Sequence, residues 1–121
     1  MNYVKLCSLI LGIEFQVRGV FVYSNNGDLI VGGMQDNVKP YLPTEEMSKS
    51  TLDTIFRWNS RELLYPFLGP GKYSLTEYKK IKRITFPLNN HKLLIVGTSV
   101  EVDHDKIIRN ILQLIESKEK I

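Results

Sequence analysis

Residues 18–34 constrain the fold of this chain more strongly than any other segment. Apolar residues alternate with other types on both sides of Asn26-Gly27, and these two residue types adopt a positive φ at low cost. A pair of glycines, Gly32-Gly33, follows the apolar residues that come after Asn26-Gly27. The pattern predicts two antiparallel strands joined by a tight turn. It also indicates that the glycines serve the backbone rather than bind phosphate, because no phosphate-loop spacing surrounds them.

The composition is that of one globular domain spanning residues 1–121, with 43% hydrophobic and 24% charged residues. Cys7 is the only cysteine, so no disulfide forms within the chain, as expected of a cytoplasmic protein. The apolar segment 4–13 has no basic stretch before it and is too short to span a bilayer. It therefore predicts a packed N-terminal helix, or part of a dimer contact, rather than a signal peptide.

The remaining periodicities predict a single α+β domain. A helix over 3–12 ends at Gly12, and a strand begins at Phe15, with Phe15, Val17, Gly19, Phe21 and Tyr23 on one face. Thr44 is the predicted N-cap of a long helix that stops before Pro66, and Asp103 is the predicted cap of the last helix. The other strands are predicted over 28–34, 73–79, 81–88 and 93–96, with a turn at 89–91. The order α-β-β-α-β-β-β-α predicts a five-stranded antiparallel sheet with helices packed on it.

Two runs, residues 19–31 and 92–98, carry a resemblance to a known family. They read Gly-Val-Phe-Val-Tyr-Ser-Asn-Asn-Gly-Asp-Leu-Ile-Val and Lys-Leu-Leu-Ile-Val-Gly-Thr, and an Ile/Leu-rich helix follows the second. Together with the element order, they resemble the roadblock/LC7 domain, whose architecture is shared by profilin-like and longin-like folds. Gly32-Gly33-Met34 and the Ile-Thr-Phe-Pro-Leu strand also resemble an uncharacterised family of small archaeal proteins.

The roadblock resemblance implies a non-enzymatic homodimer that binds other proteins, often small GTPases. In such domains two sheets commonly join at an edge strand, and the long middle helix packs against its mate. The resemblance places Leu52, Ile55, Phe56 and Trp58 in or near a dimer contact. Arg57 and Arg61 share one side of the same helix, and arginine and tryptophan dominate interface energies, so Arg57, Trp58 and Arg61 are also candidates for a dimer or partner interface. A core tryptophan beside two solvated arginines is an equally good interpretation. The proline-rich loop 36–43 departs from the roadblock pattern.

A basic cluster, also atypical of roadblock domains, falls on the predicted strand pair: Lys72, Lys79, Lys80, Lys82 and Arg83. Tyr73 and Tyr78 lie among these cations, a combination found on RNA and single-stranded DNA surfaces. Lysines on a strand also protect a sheet edge from aggregation. Because no nucleic-acid motif is present and the net charge is only +3, edge protection or contact with an acidic protein is favoured.

The sequence contains no pattern typical of catalysis or of cofactor binding. Cys7, His91 and His104 lack metal-ligand spacing, and neither a Gly-x-Ser-x-Gly elbow nor a phosphate loop occurs. Cys7 lies in an apolar segment and is expected to be a buried thiol. We therefore expect no enzyme activity, no cofactor and no metal. A PAS-like sensor of small ligands is the alternative function, although Phe15, Phe21, Phe86 and Leu88 predict a filled interior.

Overall fold

The computed structural model describes residues 1–119 and contains nine helices and strands in that part of the chain. Their bounds are α1 Tyr3–Leu11, β1 Val17–Tyr23, β2 Leu29–Met34, α2 Thr44–Glu62, α3 Tyr65–Leu68, β3 Ser74–Glu77, β4 Ile81–Leu88, β5 Lys92–Ser99 and α4 His104–Glu119. The predicted α+β class and element order are confirmed. The four-residue α3 is not predicted by the sequence pattern; it carries Pro66 in its first turn, where proline is tolerated.

The five strands form one antiparallel sheet in the order β2-β1-β5-β4-β3. Strands β1, β5 and β4 occupy the centre, and β2 and β3 are the two edges. The run 93–96 is buried throughout, as its continuous apolar sequence predicts for a strand covered on both faces.

One face of the sheet carries the main hydrophobic core. Helices α1 and α4 pack on this face, and the core residues that they share with β1, β4 and β5 include several that are completely buried: Leu6, Ile10, Val20, Val22, Ile84, Phe86, Leu94, Val96 and Ile111. Helix α2 lies against the opposite face, where a smaller cluster joins Ile55 and Trp58 to Leu93. The two faces are named here the α1/α4 face and the α2 face.

A bulge at the start of β1 changes which residues point into the core. The pairing of β1 with β5 shifts register between Val17 and Gly19, so Val17 is buried with Val20 in the α1/α4 core. The predicted alternation from Phe15 is therefore wrong at this end. Phe15 precedes the strand in a turn, and 84% of its surface is exposed.

The β1–β2 connection confirms the predicted hairpin and shows which glycines it requires. Residues 25–27 form the loop, and Gly27 adopts a φ of 89°, as in a type I turn with a glycine bulge. The Ser24 hydroxyl accepts hydrogen bonds from the Asn26 and Asp28 amides. Gly32 has a φ of 128°, and a Cβ there would overlap the Val20 carbonyl oxygen. Backbone geometry thus explains Gly27 and Gly32.

The two predicted helix caps have different outcomes. Asp103 Oδ1 accepts a hydrogen bond from the Lys106 amide, which confirms the cap of α4. Thr44 is the first residue of α2 rather than its cap, so that prediction is wrong. Pro43 occupies the N-cap position, and no side chain caps this end of the helix. Helix α2 therefore starts without the hydrogen bond that usually stabilises an N-terminus.

Candidate interaction surface on the second helix

Helix α2 is attached to the sheet by one buried stripe. Thr51, Ile55 and Trp58 are its buried residues, and their spacing of four and three places them on one side of the helix. Trp58 is 2% exposed and belongs to the cluster with Leu93 of β5. Ile55 and Trp58, both predicted at the interface, therefore hold α2 against its own sheet and do not present a surface to a partner.

Trp58 also fixes the short helix that follows α2. Its indole Nε1 donates a 2.9 Å hydrogen bond to the Tyr65 hydroxyl, and Gly71 lies so close that a Cβ there would be 3.2 Å from the indole ring. The Arg61 guanidinium lies over the indole, 5.6 Å from the ring centroid. One buried side chain thus orients α3 and one of the two predicted interface arginines.

The outward side of α2 and α3 exposes large apolar side chains. Phe56 is 71% exposed and Phe67 82% exposed, although both lie on ordered helical segments. The full set, named here the α2–α3 apolar face, is Leu52, Phe56, Leu63, Leu64, Phe67 and Leu68. Such a concentration of exposed apolar residues is typical of a protein–protein interaction site. Leu52 and Phe56 are among the interface residues predicted from the sequence, whereas Leu63, Leu64, Phe67 and Leu68 are not, because the sequence pattern does not predict α3.

The side of α2 that faces β3 and β4 is polar instead. Arg57 forms a 3.0 Å ion pair with Asp53, and both side chains are largely exposed. Arg83 of β4 reaches across to α2, where its Nη1 donates a hydrogen bond to the Ser50 hydroxyl. The predicted interface arginines therefore lie beside a polar groove rather than within the apolar face.

The five basic residues do not form one continuous edge, which corrects that prediction. Neighbouring residues of a strand point to opposite faces, so Lys82 lies on the α1/α4 side of β4 and Arg83 lies on the α2 side. Lys79 and Lys80 are exposed between β3 and β4, and Lys72 is exposed before β3. The Lys80 ammonium lies 5.5 Å from the Tyr41 ring, where Arg18 also stacks.

Lys82 is a buried structural residue, 5% exposed. Its Nζ donates hydrogen bonds of 2.9 Å to the Val102 carbonyl and to His104 Nδ1, and Glu77 Oε1 lies 3.7 Å away. The ammonium thus ties β4 to the connection between β5 and α4. Because it is satisfied by these groups, it is not available to a nucleic acid.

The one cysteine and the two histidines lie on different elements of the fold. Cys7 is buried, as predicted, and desolvation by burial raises its pKa to about 11, so the thiol stays protonated and unreactive at neutral pH. His91 lies in the β4–β5 turn, and His104 begins α4. Within the described residues, no three His, Cys, Asp or Glu side chains form a group that could hold a metal ion.

Four spaces border α2, and one of them is a polar cavity of about 80 Å³ toward β3 and β4. An apolar cavity of about 60 Å³ lies beneath its N-terminal end, lined by residues that include Phe21, Met34 and Leu42. Two larger and more open grooves flank the helix, one of about 500 Å³ toward the β1–β2 hairpin and one of about 480 Å³ toward β4. The largest spaces are therefore surface grooves, and the more enclosed apolar space is small for a metabolite. None of the helices among residues 1–119 is long and apolar enough to cross a membrane.

Comparison with solved structures identifies the architecture as the roadblock/LC7 fold. A roadblock/LC7 domain from Streptomyces avermitilis superposes with a TM-score of 0.73 at 10% identity, covering 99% of this chain and 97% of that chain. Myxococcus xanthus MglB gives a TM-score of 0.68 at 14% identity, with 98% and 95% covered. A structure described as MglB with tetrameric arrangement gives 0.66 at 10% identity, with 94% and 88% covered. No family model matches the chain, and no curated protein matches it.

Proposed function

We propose that this protein is a non-enzymatic module that forms a homodimer through the α2–α3 apolar face and, as a dimer, binds a protein partner. The observation that carries the proposal is the exposure of Phe56 on α2 and Phe67 on α3, two helices held together by the buried Trp58. Helices that are already in place need no backbone ordering when a partner covers their exposed side chains, and this pre-organisation favours association. The roadblock/LC7 fold supports the same function class.

Several features support self-association. A relative of the same fold is described as having a tetrameric arrangement. Leu52 and Phe56 project outward from α2, whereas Ile55 and Trp58 support the surface from beneath. A homodimer that packs α2 against its mate would cover this face. We propose a small GTPase as the class of partner on the roadblock resemblance alone, and a cytoplasmic location in an archaeal cell on the cysteine usage and the archaeal resemblance.

The oligomeric state tests this proposal. We expect the wild-type chain to be a dimer at micromolar concentration in sedimentation velocity, and the dimer to persist in high salt because its contacts are apolar. Phe56→Ser and Phe67→Ser should each shift it toward the monomer. Phe15→Ser is the matched control, because Phe15 is equally exposed but lies outside this face. A wild-type monomer, or equal dissociation of the Phe15 variant, would reject the proposed interface.

Trp58→Ala tests whether the support beneath the surface matters. The substitution removes the hydrogen bond to Tyr65 and the ring beneath Arg61, so α3 loses its attachment to α2. We expect weaker self-association or weaker capture of a partner from native lysate, with the fold of the sheet retained by circular dichroism. A Trp58→Ala dimer of unchanged affinity that still binds its partner would contradict this role.

The grooves beside α2 favour one second candidate, a sensor of small ligands. Each exceeds the ~300 Å³ at which small-molecule pockets begin. Native mass spectrometry of freshly purified protein tests this candidate: a retained small molecule supports it, and the bare chain mass counts against it. Binding to heparin that disappears between low and moderate salt would instead support a nucleic-acid accessory.

A further inference from the structure

The polar groove between α2 and the β3–β4 edge encloses a cavity of about 80 Å³. A water molecule occupies roughly 30 Å³ in the liquid, so the cavity has room for roughly two to three waters or for one phosphate group. Every residue that lines the cavity carries a hydroxyl or a guanidinium group, except one that carries a carboxylate. The lining residues are Ser50, Asp53, Thr54, Arg57, Arg61, Ser74, Thr76, Tyr78, Arg83 and Thr85.

The sequence places these groups together by two periodicities. Ser50, Thr54, Arg57 and Arg61 follow one another at spacings of three and four, so they share one side of α2. In the sheet, Ser74 pairs with Thr85 and Thr76 pairs with Arg83, so these four residues share one face. The helix side and the strand face meet across the cavity, where Arg83 bonds to Ser50.

The charges in this cavity are not balanced within the protomer. Asp53 pairs with Arg57 at 3.0 Å. Among the residues whose side chains the structure describes, Arg61 and Arg83 have no acidic partner. Arg83 is half-buried, so its cation is partly removed from water without a counter-charge. Three guanidinium groups against one carboxylate leave a net charge of +2 at the lining.

We propose that this cavity is a binding site for a phosphate group. A phosphate monoester carries close to two negative charges at neutral pH and three strong acceptor oxygens, which match the net charge and the donors of the lining. Arginine binds phosphate with two parallel hydrogen bonds, and Arg61 is already oriented by stacking on Trp58. The ligand is free phosphate or the phosphate of a small phosphorylated molecule.

Calorimetric titration with inorganic phosphate at constant ionic strength tests the site. We expect saturable binding with a Kd below about 10 mM. Arg83→Gln should weaken it about tenfold or more, and Arg61→Gln, at an exposed residue of the lining, should also weaken it. Arg109→Gln is the matched control, because Arg109 is exposed on α4 on the other side of the sheet and the change in charge is the same. Absence of saturable binding overturns the proposal, and so does equal weakening by Arg109→Gln.

Two further measurements complete the test. Titration with O-phosphoserine and with serine distinguishes the sources: tighter binding of phosphoserine than of free phosphate assigns a phosphorylated ligand, and the reverse assigns the free ion. Binding of serine as strong as that of phosphoserine overturns the site. Amide shift changes on phosphate addition should concentrate in residues 50–61 and 74–85. The site lies within one protomer, so phosphate binding and dimerisation can succeed or fail independently, and sedimentation with and without phosphate separates them.

Discussion

The two faces of the sheet differ in how tightly they pack against the helices that cover them. Beneath α1 and α4 the strands contribute Val20, Ile84 and Phe86, all completely buried in a continuous aliphatic core. Beneath α2 the central strands contribute Gly19 and Gly97, and a Cβ on Gly97 would have no atom within 4 Å. The first face has the interdigitated packing that stabilises a domain. The second face leaves cavities and unbalanced charge under a helix attached by three buried residues.

This difference assigns separate roles to sequence positions that look alike. An aromatic residue stabilises the fold if it points toward α1 and α4, whereas an aromatic residue on the outer side of α2 is exposed and available for binding. Function on this fold is therefore expected to reside on α2 and the strands beside it. Substitutions on the two faces should separate loss of stability from loss of binding, and four predictions test that separation.

The largest expected effect comes from emptying the α1/α4 core. Phe86→Ala should lower the free energy of unfolding by about 3–5 kcal/mol, because it removes a completely buried ring and leaves a cavity. Phe56→Ala, the same change on the outer side of α2, should alter it by less than about 0.5 kcal/mol. Urea denaturation at low protein concentration measures both changes. Similar losses of unfolding free energy for the two variants would show that the two faces do not differ in their contribution to stability.

A smaller loss is expected from Lys82, the buried cation on the α1/α4 side. Lys82→Met keeps most of the apolar stem but leaves the Val102 carbonyl and His104 without their donor. The expected destabilisation is about 1–3 kcal/mol. Lys80→Met is the control, because Lys80 is exposed two residues earlier. A neutral Lys82→Met variant would show that aliphatic packing alone holds the connection between β5 and α4.

The buried thiol makes the stability of the α1/α4 face depend on pH. Burial raises the pKa of Cys7 from 9.0 to about 11, so the folded state favours the protonated thiol. This contribution to the free energy of unfolding is fully present below pH 9.0 and is lost as the pH rises through about 11. Between about pH 8 and pH 10 the stability of wild type relative to Cys7→Ala should therefore fall by about 1 kcal/mol. A constant difference between the two proteins across this range would contradict the prediction.

The sequence predicted the elements well and the faces less well, for identifiable physical reasons. Asn26-Gly27, the cap at Asp103 and the apolar run before Gly97 are local signals that depend on few neighbours, and each is confirmed. The bulge beside Val17 depends on how β1 pairs with β5, and no residue type in the sequence indicates it. Phe15 was consequently assigned to the wrong environment.

The candidate site was partly accessible from the sequence. Successive side chains of a strand point to opposite faces of the sheet, so the sequence alone is enough to place Lys82 and Arg83 on different faces. The charged groove itself was not accessible, because it requires the register of β3 on β4 and the position of α2 above them. The continuation of the apolar face into α3 depends on the Trp58–Tyr65 hydrogen bond, which sequence periodicity does not reveal.

The smallest effect is expected at the uncapped start of α2 and tests whether this helix opens independently of the sheet. Pro43→Asp introduces a side chain that can accept a hydrogen bond from the first turn, in a position whose backbone is already extended. Such a cap stabilises a helix by about 0.5–1 kcal/mol. If α2 opens while the α1/α4 core stays folded, the opening free energy from hydrogen exchange in residues 44–62 should be lower than the global free energy of unfolding from urea, and the cap should raise it by about 0.5–1 kcal/mol. If α2 unfolds only with the whole domain, the opening free energy in residues 44–62 should equal the global value, with and without the cap. The second result would make the α2 face part of one cooperative unit, and the difference between the faces would then lie in their packing alone.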